Sequence, residues 1–205
     1  FWSLGFMWNI KNEAFLKDIE WLTSAQVKLS TGTSGNSEIP YYDHLALVSG
    51  DANYNDEAGI YPSQSGNEEL SWEQTWANNV GVSFGLYNRV NVNVDFYHKK
   101  TTNMLMLVPQ SYAITGVGNR WDNIGAMMNR GVEIAIDGDV IRTKDFTWNL
   151  SANVSYNKNK LLELYNGVEE YVNSTTGLKY VVGHSVREYF MNRYAGVNPA
   201  NGDAL

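Results

Sequence analysis

The chain has 205 residues, a length that suits one sizeable domain. Its 22 acidic and 15 basic residues give a formal net charge of −7, which argues against a nucleic-acid-binding protein. Cys is absent, which excludes a disulfide framework and thiolate metal sites, and the apolar runs are too short for a transmembrane helix.

The predicted elements are β-strands, because apolar and polar side chains alternate along several segments while sustained helical periodicity is missing. The segment 160–171 supports at most a short helix, since Asn166 and Gly167 interrupt it. In chain order, strands are expected near 4–11 and at about 19–33, 71–86, 90–102, 125–141 and 146–159.

The connections between these strands alternate between short and long. Short turns are expected at 12–18, 86–89 and 142–145, and long loops at 34–70, 103–124 and 160–183. In an up-and-down antiparallel sheet this parity puts all short turns at one end and all long loops at the other, which is typical of an outer-membrane β-barrel. Because a six-stranded open sheet would leave two edges unpaired in lipid, we expect a slice of a larger barrel.

The two faces of each strand differ in a way that fits this fold. At 132–137, Val132, Ile134 and Ile136 alternate with Glu133 and Asp137, and elsewhere the polar side is mostly Asn, Ser, Thr and Gly. A small, uncharged polar face favours a wet lumen, with the apolar residues toward lipid and Glu133 toward water. The alternative is a soluble all-β module, such as a glycan-binding or adhesin sandwich, in which the apolar side faces a core.

Aromatic residues are expected to form two girdles at the membrane interfaces. The candidates at the short-turn end are Trp21, Tyr87, Phe146 and Trp148. The candidates at the long-loop end are Trp72, Trp76, Tyr97 and Tyr156.

Motifs for catalysis, cofactors or metals do not emerge from the sequence. In 51–57, Asp51, Asn53 and Asn55 have the 1-3-5 spacing of a calcium loop, but Asp56 and Pro62 stand where that loop needs Gly and Glu. An acidic loop tip is the favoured interpretation. No catalytic, cofactor-binding or metal-binding residue is predicted, and the chain is not expected to be an enzyme.

The long loop 103–124 is the candidate binding segment. It is too apolar at its start for a freely solvated loop, and long loops of this kind often carry function. Asn103, Arg120 and Trp121 are the predicted substrate-binding residues, because an aromatic ring beside Arg and Asn suits sugar or peptide ligands. The alternative is that this loop only packs over its neighbours.

Three stretches resemble SusC/RagA-type TonB-dependent transporters. In 70–109 the resemblance is carried by a Trp-Glu before a strand, an Asp-x-Tyr near a strand end, and a following Thr, Leu-rich segment and Pro (Trp72, Glu73, Asp95, Tyr97, Thr101, Leu105 and Pro109). "NIGAMMNRGVEIAI" with "DFTWNLSANVSYNKNKLLEL", and the terminal "GHSVREYFMNRYAGVNPANGDAL", resemble the signatures that follow. The sequence departs from the family at 185–188, where a smaller, Gly-containing stretch is expected.

The resemblance implies a 22-stranded outer-membrane barrel of a Gram-negative cell, of which residues 1–205 would be part of one barrel domain. The complete protein would import glycans or peptides with energy from TonB, together with a SusD-like surface lipoprotein. The N-terminal plug and the TonB box are expected to lie outside this chain. No cofactor is implied.

Overall fold

The computed structural model describes residues 1–172, 178–186, 188 and 194–203, and almost all of its regular structure is β-strand. A four-residue helix, α1, spans Tyr112–Thr115, and single 3₁₀ turns span Ile10–Asn12 and Tyr165–Gly167. The strands are β1 (Trp2–Trp8), β2 (Leu22–Asn36), β3 (Leu47–Tyr54), β4 (Glu57–Gln64), β5 (Glu73–Leu86), β6 (Val90–Thr102), β7 (Leu105–Pro109), β8 (Asn119–Asn123), β9 (Ala126–Arg142), β10 (Thr147–Glu163), β11 (Glu170–Val172) and β12 (Lys179–Val181). In the described residues, no helix is long and apolar enough to cross a membrane.

Six long strands form one antiparallel sheet in the order β1-β2-β5-β6-β9-β10. Each strand pairs with the previous and the next long strand of the chain, which is an up-and-down topology. The predicted all-β, antiparallel up-and-down fold is therefore confirmed. Within the described residues, β1 and β10 each have a sheet partner on one side only.

The register aligns the apolar side chains of all six strands on one face of the sheet. One cross-strand row reads Trp8, Val27, Val82, Val94, Ile134 and Val154. The adjacent row, on the opposite face, reads Gln26, Ser83, Asn93, Ala135 and Asn153. Because side chains alternate along a strand, the sheet has one apolar and one polar face.

The apolar face is not covered by any described part of the chain. Phe96 is 54% exposed although it lies on the inner strand β6, and Val154 on the edge strand β10 is 68% exposed. In the described part of the chain the buried apolar residues are few, namely Leu22, Ala25, Val108, Val117, Ala126, Leu161 and Leu164. A sandwich buries its apolar face against a second sheet, and no described segment supplies one here.

The short turns lie where the sequence predicted them. In the β5–β6 turn, Tyr87 and Asn88 adopt left-handed φ angles of 53° and 54°. In the β9–β10 turn, the backbone N–H of Phe146 donates a hydrogen bond to Oγ1 of Thr143 at 3.0 Å. The β1–β2 connection is longer, and the ammonium group of Lys11 donates to the carbonyls of Leu16, Lys17 and Ile19 at 2.7–3.0 Å.

The segments that were predicted only as long loops contain hairpins of their own. β3 and β4 pair in 34–70, β7 and β8 pair in 103–124, and β11 and β12 pair in 160–183. Residues 173–177 of the third segment lie outside the described residues, as does Arg187 of the stretch 185–188 that departs from the family pattern. Residues 189–193 also lie outside them. The long-loop end of the sheet is thus more ordered than the sequence indicated.

The structure corrects one residue of the predicted girdles, Tyr97. Trp21 and Tyr87 contact each other at the short-turn end, with 6.5 Å between ring centroids. Trp76 is the cross-strand neighbour of Lys100 on the apolar face, and its ring contacts that of Trp2, with 6.4 Å between ring centroids. Tyr97 instead pairs with Asn79 and belongs to the polar face, so its assignment to a lipid-side girdle was wrong.

Candidate functional site between two long loops

The first two long loops enclose a cavity of about 440 Å³ at their end of the sheet. This volume lies in the range of small-ligand sites. Asp43 and 61–65 line it from the first loop, and Leu107, Tyr112 and 117–121 line it from the second. Gly116 ends α1 with a φ of +72° and brings that turn against Pro62, so the tip of one hairpin packs on the other.

Hydrogen bonds between the two loops hold the cavity together. Nδ2 of Asn67 donates to the carbonyl of Trp121 at 3.0 Å. The amide of Asn123 accepts from the backbone N–H of Ser71 at 2.6 Å and donates to the Ser71 carbonyl at 2.7 Å. We call these contacts of Asn67 and Asn123 the loop clasp. Since each bond joins residues more than fifty positions apart, the clasp fixes one loop relative to the other.

Two of the three predicted binding residues, Arg120 and Trp121, line this cavity. Nε1 of Trp121 donates to Oδ2 of Asp43 at 2.6 Å, which orients the indole across the gap between the loops. The guanidinium of Arg120 forms an ion pair with Asp122 at 2.8 Å, and both side chains are partly exposed. Nε of Arg120 is buried and has no hydrogen-bond partner among the described residues. A buried donor without a partner carries a desolvation cost, and the ligand-facing part of Arg120 is the exposed remainder of its guanidinium.

The third predicted binding residue, Asn103, lies outside the cavity. It follows β6 with a left-handed φ of 52°, and its carbonyl accepts a hydrogen bond from Nδ2 of Asn123 at 3.1 Å. The structure therefore gives it a position at the base of the β7–β8 hairpin, next to the loop clasp.

Sequence reasoning missed the contribution of the first loop to this cavity, which includes Asp43, Tyr61 and Gln64. The available signal was a two-residue Asn55-Asp56 turn between strand-like segments, a typical hairpin pattern. Both turn residues have positive φ, 51° and 66°. The segment with calcium-loop spacing is thus one edge of a hairpin, and the Ser49 hydroxyl, 2.7 Å from Asp51, lowers the pKa of that carboxyl. Among the residues that the structure describes, no group of three or more His, Cys, Asp or Glu could hold a metal ion.

A second depression, of about 480 Å³, lies on the polar face of the sheet itself. Its lining consists of amides, two carboxylates, a phenol and an amine, from Asn79, Asp95, Tyr97, Lys99, Asn129, Glu133 and Asn157. Asp95 and Glu133 are direct cross-strand neighbours. We call this set the polar patch, and its chemistry suits water or a hydroxyl-rich or amide-rich solute.

The polar patch depends on a glycine. Oη of Tyr97 on β6 donates to Oδ1 of Asn157 on β10 at 3.0 Å, although β9 lies between these strands. The ring crosses β9 at Gly131, where an added Cβ would lie 2.6 Å from the Tyr97 oxygen and against the Tyr156 carbonyl. Gly131 is therefore needed for close approach of the ring.

The third loop carries a cluster of tyrosines beside β10. Tyr165 contacts Tyr171 edge to face at 5.5 Å, and Tyr171 stacks on Tyr180 at 6.2 Å. Partial burial, followed by the proximity of Tyr171, raises the pKa of Tyr165. This cluster gives the long-loop end a further aromatic surface.

Comparison with known families decides what kind of sheet this is. The profile described as "TonB dependent receptor-like, beta-barrel" matches residues 1–202. The chain belongs to this family. The two-faced antiparallel sheet is accordingly a section of a TonB-dependent receptor barrel, as the sequence resemblance had indicated.

Individual receptors of the family are similar over most of this chain. TonB-dependent receptor P39 of Formosa agariphila is 39% identical over 158 residues, which are 77% of this chain and 15% of that protein. TonB-dependent receptor SusC of Bacteroides thetaiotaomicron is 31% identical over 226 aligned residues, which cover 99% of this chain and 22% of SusC. The chain thus spans about a fifth or less of the length of these relatives.

Solved structures of RagAB are similar in fold as well as in sequence. The structure described as the RagAB peptide transporter matches with a TM-score of 0.87 and 36% identity, over 98% of this chain and 22% of that chain. The RagAB peptide importer in its "open-open" state matches with a TM-score of 0.88. The six-stranded sheet and its loops therefore match a section of such a transporter.

Proposed function

We propose that this chain is a section of the wall of an outer-membrane TonB-dependent transporter that imports glycans or peptides. Residues 1–205 would form part of one 22-stranded barrel domain, with the polar face lining the lumen. A SusD-like surface lipoprotein and TonB are the proposed partners of the complete protein.

The uncovered apolar face is the observation that carries this proposal. This face extends over six strands in register, and Phe96, on the inner strand β6, is 54% exposed. Exposed apolar surface of this extent indicates contact with a membrane or a protein. The polar face behind it carries Asp95 and Glu133, which a water-filled lumen would solvate.

The first experiment compares unboiled and boiled samples of the full-length parent protein from an isolated outer-membrane fraction by electrophoresis. We expect the unboiled band to migrate faster and to shift on heating, because a closed barrel resists detergent until it is heated. A protein in the soluble fraction without a heat shift would contradict the proposal and would make the apolar face the core of a soluble module.

The loop cavity is the proposed substrate contact within this section, with Arg120 and Trp121 as its binding residues and Asn103 at its base. We expect Arg120→Gln in the full-length protein to lower uptake of the substrate about tenfold, the loss typical of a central contact residue. The measurement is uptake of labelled oligosaccharides and oligopeptides by whole cells. This comparison also identifies the substrate class.

A matched control for Arg120→Gln is Arg89→Gln. Arg89 lies in the β5–β6 turn at the opposite end of the sheet. Its substitution removes the same charge as Arg120→Gln but leaves the residues that line the cavity unchanged. Equal uptake by both variants and by the parent would exclude Arg120 from substrate binding, while the heat shift would still report on the barrel.

A further inference from the structure

The apolar face of the sheet ends at its long-loop side in a group of basic residues. They are His98, Lys100, Arg130, Lys158 and Lys160, and we call them the basic band. His98, Arg130 and Lys158 are direct cross-strand neighbours on β6, β9 and β10. Lys100 and Lys160 lie one row further toward the loops, on either side of Met128.

The basic band shares its face with the apolar rows and not with the polar patch. Its members alternate with Lys99, Asn129 and Asn157 of the patch along the same strands. The row on its short-turn side, on the same face, contains Phe96, Val132 and Tyr156. The outward surface therefore changes from apolar to basic within two residues of each strand.

The basic band has no acidic partner on the described residues. No ion pair or side-chain hydrogen bond joins its members to any described group, and His98, Lys100, Arg130 and Lys158 are exposed. The carboxylates of Asp95, Glu133 and Asp137 lie at the alternate positions, on the opposite face. The residues outside the described set include no Asp or Glu.

Such an arrangement favours an external anion. Like charges directly opposite each other destabilise a sheet, and Arg130 faces Lys158 in this way. Neighbouring strands are about 4.8 Å apart and alternate residues about 7 Å apart along a strand, so the band covers a patch about 10 Å wide. This is the size of one phosphorylated headgroup.

We propose that the basic band binds the phosphate groups of a lipid in the outer leaflet of the membrane. The inference rests on the proposed function, since it requires the apolar face to lie against lipid. In that setting the row at which apolar side chains give way to cations lies at headgroup depth, where cationic side chains attract anionic lipid. Trp76, in the same row as Lys100, is the kind of ring found at that depth.

The experiment uses the full-length protein, purified in detergent and titrated with lipid A that carries its phosphates. The probe for comparison is the same lipid after enzymatic dephosphorylation, and native mass spectrometry counts the lipids bound. The test variant is Arg130→Gln with Lys158→Gln. Its control is Lys28→Gln with Arg89→Gln, which also removes one Lys and one Arg, from the polar face and from the β5–β6 turn at the opposite end of the sheet.

We expect the parent and the control to bind phosphorylated lipid, and the test variant to bind it about thirtyfold more weakly, given the attraction contributed by each of the two basic side chains. Dephosphorylation should weaken binding to the parent by a similar factor, and this comparison needs no variant. Equal affinity for both lipids, or equal affinity of test and control variants, would overturn the inference.

The heat shift is measured on the same samples. If the parent protein shifts on heating but binds both lipids with equal affinity, the lipid site is refuted and the transporter barrel is still supported. If the parent protein shows no heat shift, the barrel proposal is refuted, and so is the lipid site that depends on it.

Discussion

At the scale of single residues, Gly131 permits the Tyr97–Asn157 hydrogen bond, because any side chain at this position would block it. The ring of Tyr97 occupies the space above β9 where any other residue would place its Cβ. A Gly in the middle of a strand usually weakens it. Here the loss is offset by a contact that links β6 to β10 over the strand between them.

Gly131→Ala in the full-length protein should therefore destabilise the barrel. Overpacking of this kind costs about 1–3 kcal/mol, and the added methyl would also meet the Tyr156 carbonyl. The measurement is the temperature at which the unboiled band converts to the boiled form. Gly50→Ala is the control, because an added Cβ there meets no atom within 4 Å. Identical conversion temperatures for the two variants would refute the close-packing role of Gly131.

The wrong assignment of Tyr97 to a girdle also has its cause at the scale of single residues. The sequence put it on the polar side by alternation, and its position near a strand end still suggested a girdle. Alternation is the stronger signal, because a strand fixes the direction of each side chain whereas aromatic enrichment near strand ends is only statistical.

At the scale of elements, each long strand could be predicted because its signal is local. Apolar and polar side chains alternate from Val90 to Phe96 in β6, and the strand expected at 90–102 is observed at Val90–Thr102. The hairpins in the loops were missed because β3 and β4 alternate poorly and include Gly50, Gly59 and Pro62. Their placement depends on the loop clasp, whose partners are too far apart in sequence for any local pattern to reveal.

Adjacent residues of β9 provide a direct test of which face meets lipid. Ile134 lies in the middle apolar row, and Ala135 lies beside Asn93 and Asn153 on the polar face. Ile134→Arg should destabilise the barrel by about 2–4 kcal/mol, whereas Ala135→Arg should be tolerated, because only the first buries a charge in hydrocarbon. Unfolding of the full-length variants in lipid vesicles, followed by tryptophan fluorescence with urea, gives the two free energies. A larger loss for Ala135→Arg would mean that the faces have been assigned the wrong way round.

At the scale of the whole molecule, the described sheet has two features that water does not accommodate. Its apolar face is uncovered, and β1 and β10 each present an unpaired edge among the described residues. Unpaired edges invite association between chains, and a bilayer does not tolerate them either. Both features are removed when neighbouring strands close a barrel in a membrane.

Residues 1–205 expressed alone should consequently fail to form a soluble monomer. We expect the chain in the pellet after lysis without detergent, and in solution only after detergent is added. Size-exclusion chromatography with light scattering measures the oligomeric state under both conditions. A monodisperse, detergent-free monomer would contradict the lipid-facing role of the apolar surface.

The loop clasp has a consequence for any exchange of the proposed substrate-contact loops between relatives. Asn67 and Asn123 tie the first two loops into one unit, and the cavity between them takes its walls from both. A graft that exchanges only one loop between relatives would break these bonds and distort the half of the cavity that it left in place. The two loops should therefore be exchanged together, as a single recombination cassette spanning 34–124. This cassette includes β5 and β6, which lie between the two loops.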